Sequence, residues 1–205
     1  MLLATTALAG TNTFTVTIDS STAPDMAPWA EKMRQTAVKT YPAICTKLGT
    51  KPRDVSIELT KEFPRKTPAA TSGSHIKLSV GWGREHPNDT GALIHELTHV
   101  AQAYPKYDPV WLVEAIADYI RFWVYEEPSK RPRINPKTDD YRQGYQPAAA
   151  FLAWIEQKYD PQIVTKLNAA LQKTAYSDDL FREYTGKNLD ELWQECCRQA
   201  ETEKK

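Results

Sequence analysis

The chain has 205 residues, which is enough for one domain with a substantial apolar core. Its 26 Lys and Arg residues balance 26 Asp and Glu residues, and this neutral charge argues against a nucleic-acid binder, which usually carries a basic excess. No apolar stretch is long enough to cross a bilayer, so we expect no membrane-spanning segment.

The first ten residues, MLLATTALAG, are apolar and contain an Ala-Leu-Ala sequence that resembles a signal-peptidase site. They lack a positively charged start, so they fit either the remnant of an export signal or a disordered N-terminus. We therefore separate residues 1–10 from a single domain at residues 11–205, and we expect a secreted or extracytoplasmic protein. Three cysteines, Cys45, Cys196 and Cys197, indicate no disulfide framework, and their pairing stays open.

Three segments of the N-terminal half alternate between apolar and polar residues, which is typical of strands with one buried face. A helical pattern at 28–48 separates the first two segments, and Pro42 is expected to kink or divide that helix. Residues 62–73 are predicted to form a loop. The three predicted strands are 13–19 (TFTVTID), 54–60 (DVSIELT) and 75–80 (HIKLSV).

From residue 86 onward the pattern is helical, and Asn88 or Asp89 can cap a helix within residues 91–104. The predicted fold class is α+β. We expect a small, mostly antiparallel, twisted sheet of three to four strands packed on the helix at 91–104, followed by a helical C-terminal half. Further helices are predicted at 109–126, 146–158, 161–173, 177–184 and 188–202, with a surface loop at 127–144.

The helix at 91–104 contains the pentapeptide HELTH, which is an HExxH motif at residues 95–99. Residues four apart share one face of an α-helix, so His95 and His99 can bind the same ion. Glu96 lies beside them and can reach a metal-bound water. Such pentapeptides also occur by chance, and the alternative is a buried helix with two hydrogen-bonded histidines.

The next predicted helix is apolar except for Glu114, Asp118 and Arg121. A carboxylate in an apolar helix is costly to bury unless it is paired or bound to a metal. Zinc bound by His95, His99 and Glu114 would leave a fourth position for water, which is the arrangement of a catalytic zinc. Asp118 would then accept the free N–H of a liganding histidine. The alternative for Glu114 and Asp118 is a salt bridge with Arg121 and another basic residue.

Four segments carry a family resemblance: 95–100 (HELTHV), 113–119 (VEAIADY), 144–152 (GYQPAAAFL) and the region 179–193. The first two resemble the gluzincin metallopeptidases, in which HExxH is followed by a helix bearing a Glu ligand and an Asp four residues later. All four resemble the basic secretory protein family of zinc metallopeptidases, and the likeness extends from about residue 12 to residue 195. This chain is not basic, so properties that depend on positive charge should not be carried over.

The resemblance implies a zincin-like fold, a Zn²⁺ cofactor and hydrolysis of peptide bonds by a metal-activated water, with an endopeptidase expected. Glu96 would be the general base. No histidine follows His99, so a tyrosine must stabilise the oxyanion, or nothing does. Tyr145 is our candidate, with Tyr141 and Tyr119 as rivals, although Tyr145 can also be only a half-buried aromatic.

By the same resemblance, the strand at 75–80 would be the sheet edge and would bind an extended peptide by strand addition. Lys77, Ser79 and Trp82 are the predicted substrate contacts; Trp82 and Arg84 are alternatively ordinary surface residues. We expect a peptide or protein substrate and no nucleic acid. The alternative function is a metal-stabilised, catalytically silent secreted binding or defence module. Peptide specificity, a pro-segment and the oligomeric state stay open.

Overall fold

The computed structural model describes residues 2–9 and 12–202, with side chains from 13 to 202. A sheet combined with many helices confirms the α+β prediction. The chain divides into two units, Met1–Ala103 and Tyr104–Lys205, which are described separately. One domain at 11–205 stays a prediction. The two alternatives for residues 1–10, a signal remnant and a disordered N-terminus, also stay predictions. Within that segment, Met1 and Gly10 lie outside the described residues.

The sheet of the first unit is mixed, so the prediction of a mostly antiparallel sheet is wrong. The strands run in the order β1-β2-β3-β5-β4, and β2, β3 and β5 are parallel to one another. The outer strands β1 and β4 are antiparallel to their neighbours. The bounds are β1 Leu2–Ala9, β2 Asn12–Asp19, β3 Val55–Thr60, β4 Ala69–Ser72 and β5 His75–Ser79.

The parallel pairing follows from the connection between β2 and β3. That connection contains the long helix α1, Ala27–Leu48, so the chain crosses back along the sheet and enters β3 in the same direction as β2. Pro42 lies inside this helix and does not divide it.

The edge of the sheet is β4 and not β5, so the prediction that residues 75–80 form the edge is wrong. β5 pairs with β3 on one side and with β4 on the other. The segment predicted as a loop at 62–73 therefore contains a strand. Gly73, with φ of +61°, and Ser74 form the two-residue turn of a β4–β5 hairpin, in which a tight turn favours glycine.

The alternating residues of the predicted strands form the core of the first unit. Phe14, Val16 and Ile18 of β2 are all at most 1% exposed, and Phe14 packs edge-on against Tyr41 of α1 at 5.7 Å between ring centroids. Burial of each large apolar side chain stabilises the fold by about 1.5–3 kcal/mol. This core fixes the face of the sheet that α1 covers.

A short helix, α2 at Val80–Glu85, follows β5 directly. Its N-terminus is capped by Ser79, whose Oγ accepts a hydrogen bond from Trp82 N at 3.2 Å. A Cβ added at Gly83 would lie 2.8 Å from the indole of Trp29, whereas one at Gly81 would meet only Ser79 Oγ at 3.7 Å. Glycine is therefore required by close packing at Gly83 but not at Gly81.

Helix α3, Gly91–Gln102, ends the described elements of the first unit and carries the HExxH motif. Its N-cap residue is Thr90, so the prediction of Asn88 or Asp89 as the cap is wrong, although Asp89 accepts a hydrogen bond from Gly91 N at 2.9 Å. Most of the helix is buried, including its apolar residues Leu93, Ile94 and Leu97. The histidines therefore project from a well-anchored helix.

The second unit is helical, as predicted. Its first helix is followed by a π-helical turn at Ile120–Tyr125, and the predicted loop at 127–144 contains two 3-10 turns. None of the helices in the described part of the chain is long and apolar enough to span a membrane. The helices are α4 Val110–Tyr119, α5 Tyr145–Lys158, α6 Ile163–Gln172, α7 Asp179–Thr185 and α8 Leu189–Thr202.

A charged cluster joins α5 and α8 within the second unit. Glu195 accepts hydrogen bonds from Lys158 Nζ at 2.6 Å, from Lys187 Nζ and from the Tyr159 hydroxyl at 2.7 Å. These donors lower the pKa of Glu195 to about 2, and the hydrogen bond from Lys158 has the largest effect.

The three cysteines are free thiols in this structure, and Cys45 and Cys196 are buried.

Candidate metal centre

Helix α3 brings two imidazole nitrogens together. The Nε2 atoms of His95 and His99 lie 3.0 Å apart, and the two rings are nearly perpendicular at 81°. A tetrahedral zinc with Zn–N bonds of about 2.0–2.1 Å separates two ligand nitrogens by about 3.3 Å. The i, i+4 spacing of the motif thus places both nitrogens near the separation that one shared ion requires.

Gln102 orients one of these histidines. Its Oε1 lies 2.7 Å from His99 Nδ1, and its side chain is 1% exposed. A carbonyl oxygen is an acceptor, so it selects the tautomer with hydrogen on Nδ1, in which Nε2 of His99 carries the lone pair that a metal would bind. Gln102 was not among the predicted site residues, and this kind of role was predicted for Asp118.

Glu96, the predicted general base, is buried beside the histidines with 7% exposure. Its Oε2 accepts a hydrogen bond of 2.6 Å from the hydroxyl of Thr71 on β4. The same hydroxyl lies 3.3 Å from the backbone oxygen of Glu96. Thr71 was not among the predicted site residues because its segment is predicted as a loop.

In the second unit, α4 buries the two predicted carboxylates, Glu114 at 6% and Asp118 at 5% exposure. They lie one helical turn apart, as their spacing predicts. The hydroxyl of Tyr107 donates to Glu114 Oε1, although Tyr107 is 50% exposed. Tyr107 was not among the predicted site residues, and no spacing pattern in its segment indicated it. Arg121, the predicted alternative partner, forms an ion pair of 2.8 Å with Glu126.

The two rival tyrosines have buried hydroxyls with acidic partners. The hydroxyl of Tyr141 donates to Asp190 at 3.1 Å, and that of Tyr119 donates to Glu156. Burial, together with these carboxylates, raises the pKa of both phenols. Each hydroxyl is therefore already bound within the second unit.

Tyr145 differs because its side chain is 52% exposed at the start of α5. It follows Gly144, which packs tightly against α4: an added Cβ would lie 3.5 Å from Glu114 Cβ and 3.3 Å from Trp111 Cα. The sequence therefore sets Tyr145 next to the helix that carries Glu114. Its role as an oxyanion donor stays a prediction.

The three predicted substrate contacts all have partners within the first unit. Lys77 forms an ion pair with Glu58 at 2.9 Å, and Ser79 is the buried cap of α2. Trp82 donates from Nε1 to Asp89 at 3.0 Å. Their contact with a substrate stays a prediction.

One of the comparisons with known proteins supports the resemblance found in the sequence. No curated protein and no solved structure matches the chain. The family described as "Peptidase of plants and bacteria" matches residues 31–196, which include α3 and α4. Because this match covers most of the chain, the protein belongs to that family of peptidases, the basic secretory protein family.

Proposed function

We propose that the protein is a zinc-dependent endopeptidase in which His95, His99 and Glu114 hold the metal. The observation that carries the proposal is the convergence of the two Nε2 atoms beside a buried Glu96. Two imidazoles and a carboxylate are suitable zinc ligands, and three protein ligands leave one position open. Membership of a peptidase family supports a peptide or protein substrate.

In the proposed reaction, Glu96 and Tyr145 have separate roles beside the zinc. When bound, zinc would lower the pKa of its water and polarise the scissile carbonyl. Glu96 would accept a proton from that water and later deliver it to the leaving amine. Tyr145, whose hydroxyl side chain is exposed, would donate a hydrogen bond to the oxyanion.

The proposal includes two further roles, one for the carboxylate of Asp118 and one for the backbone of the edge strand β4. Asp118 would accept the remaining ring N–H of a liganding histidine. An extended peptide would add to the edge strand β4, with Lys77, Ser79 and Trp82 as further contacts. Secretion of the protein is also a proposal, and the proposed reaction does not depend on it.

Metal analysis combined with Glu96→Gln tests the hydrolytic function. We expect purified protein to contain about one zinc per chain and to cleave casein or a peptide library. The Gln variant should retain zinc and lose activity by about 10²- to 10⁴-fold, the contribution of a general base. Wild-type protein without a transition metal, or an active Gln variant, would contradict the proposal. Zinc binding without any hydrolysis would favour the silent binding module.

Two matched substitutions in α4 test the assignment of Glu114 as a zinc ligand. Glu114→Ala should weaken zinc retention much more than Asp118→Ala, because only the first removes a direct ligand. Dialysis against a chelator followed by metal analysis measures the difference. Equal effects of the two substitutions would refute the assignment.

A further inference from the structure

The Glu96 carboxylate has a specific donor on the edge strand. The Thr71 hydroxyl is its one hydrogen-bond donor within the part of the chain that the structure describes, at 2.6 Å from Oε2. A buried carboxylate needs such a donor, and a hydrogen bond to an ionised acceptor is stronger than one between neutral groups. The bond therefore favours one orientation of the Glu96 side chain.

The backbone N–H and C=O groups of Thr71 point away from the neighbouring strand β5. Ser79 N donates to Pro68 O at 2.9 Å, so these residues form a hydrogen-bonded pair of the β4–β5 ladder. Hydrogen-bonded and non-hydrogen-bonded pairs alternate along antiparallel strands, so Thr71 and Ile76 form a non-hydrogen-bonded pair. The N–H and C=O of Thr71 consequently point to the open side of β4, where no described strand pairs.

From this geometry we infer that Thr71 is a positioning residue for the general base, an inference that rests on the proposed function. Its hydroxyl holds Oε2, which leaves Oε1 to accept the proton of the attacking water. Without the hydroxyl, the carboxylate can rotate about its side-chain torsions and spends less time in the productive orientation. A displacement of about 1 Å in a catalytic group can cost about 10²-fold in rate.

The position of Thr71 also links the base to the substrate edge. One residue offers its backbone to an extended peptide on β4 and its side chain to Glu96. A peptide that bonds to this backbone is therefore placed in register with the carboxylate. The remaining residues of β4 are small, Ala69, Ala70 and Ser72, and the Ser72 hydroxyl is exposed.

Three variants separate positioning from a general structural role. Thr71→Val keeps the β-branched shape and removes the hydroxyl, Thr71→Ser keeps the hydroxyl, and Ser72→Ala removes a neighbouring hydroxyl from the same strand. We expect Thr71→Val to lower kcat by about 10- to 100-fold, less than Glu96→Gln, with KM within about threefold. Thr71→Ser and Ser72→Ala should stay within about threefold of the wild type.

Activities are compared per folded, zinc-loaded molecule, and Thr71→Ala replaces the Val variant if that variant does not fold. In the Glu96→Gln background, Thr71→Val should cause no further loss, because the hydroxyl acts only through the carboxylate. A kcat of Thr71→Val within about threefold of the wild type would overturn the inference. So would an equal loss in Thr71→Ser.

A readout without catalysis keeps this inference distinct from the proposed function. In metal-free protein, Thr71→Val and Glu96→Ala should have non-additive effects on the urea midpoint, since each removes the same hydrogen bond. Additive effects would refute the hydrogen-bonded pair and the inference. An inactive wild type with non-additive midpoints would instead overturn the peptidase proposal alone.

Discussion

Replacing Gln102 tests whether the orientation of His99 supports metal binding. In Gln102→Leu the Nδ1–H of His99 loses the acceptor that now lies 2.7 Å away in a buried position. Loss of such a histidine partner typically weakens metal binding by about 10- to 100-fold. We therefore expect the zinc Kd to rise about 30-fold, which corresponds to about 2 kcal/mol.

Competition with a chromophoric chelator measures the Kd directly. Zinc-dependent thermal stabilisation provides a second measurement, because a 30-fold weaker site removes about 2 kcal/mol of the stabilisation at saturating metal. Gln102→Glu retains an acceptor and should bind zinc within about threefold of the wild type. A folded Gln102→Leu protein whose Kd stays within about twofold of the wild type would refute the reasoning.

Thr98→Val is the matched control in the same helix. Its hydroxyl is fully buried and donates to the backbone oxygen of Ile94, at 2.8 Å. Removal of this bond should affect the free energy of unfolding by about 1 kcal/mol and leave the zinc Kd unchanged. A rise of the Kd in this variant as well would indicate a general disturbance of α3.

Two further predictions concern stability. Gly83→Ala should lower the free energy of unfolding by about 1–3 kcal/mol because its Cβ would meet Trp29 at 2.8 Å, whereas Gly81→Ala should raise it by up to about 1 kcal/mol. If urea unfolding showed a change of the same sign in the free energy of unfolding for both substitutions, this contrast would be contradicted. Glu195→Gln should cost about 1–2 kcal/mol near neutral pH, since a pKa lowered from 4.5 to about 2 stabilises the fold above pH 4.5. That contribution is lost as the pH falls towards 2, so a pH-independent difference between the two proteins would refute it.

The helical part of the candidate site was predictable because residue spacing on a helix has fixed geometric consequences. Residues four apart share a face, so the histidines of α3 and the carboxylates of α4 follow directly from the sequence. Gln102 is three residues from His99 and obeys the same rule. It was missed because a carboxylate was expected as the histidine partner and a neutral amide was not considered.

The sheet was harder to predict because alternation identifies the buried face of a strand but not its direction. The direction of β3 depends on the path of the helical connection before it, which the predicted helix at 28–48 already implied. β4 has only four residues with small side chains, so its hydrophobic pattern is weak. The Ser-Gly-Ser sequence at its C-terminal end was the available signal for a hairpin. Thr71 became visible only once that pairing was known.

The shortness of β4 limits how a substrate would be held. Only Ala69 and Thr71 belong to non-hydrogen-bonded pairs with β5, so the open edge offers about four backbone hydrogen bonds over a strand of about 13 Å. At about 1 kcal/mol each, these bonds correspond to a dissociation constant of about 1 mM. Main-chain docking alone would thus produce brief encounters with any short extended segment, such as an exposed loop of a folded protein. Selectivity among such segments would have to come from the substrate side chains.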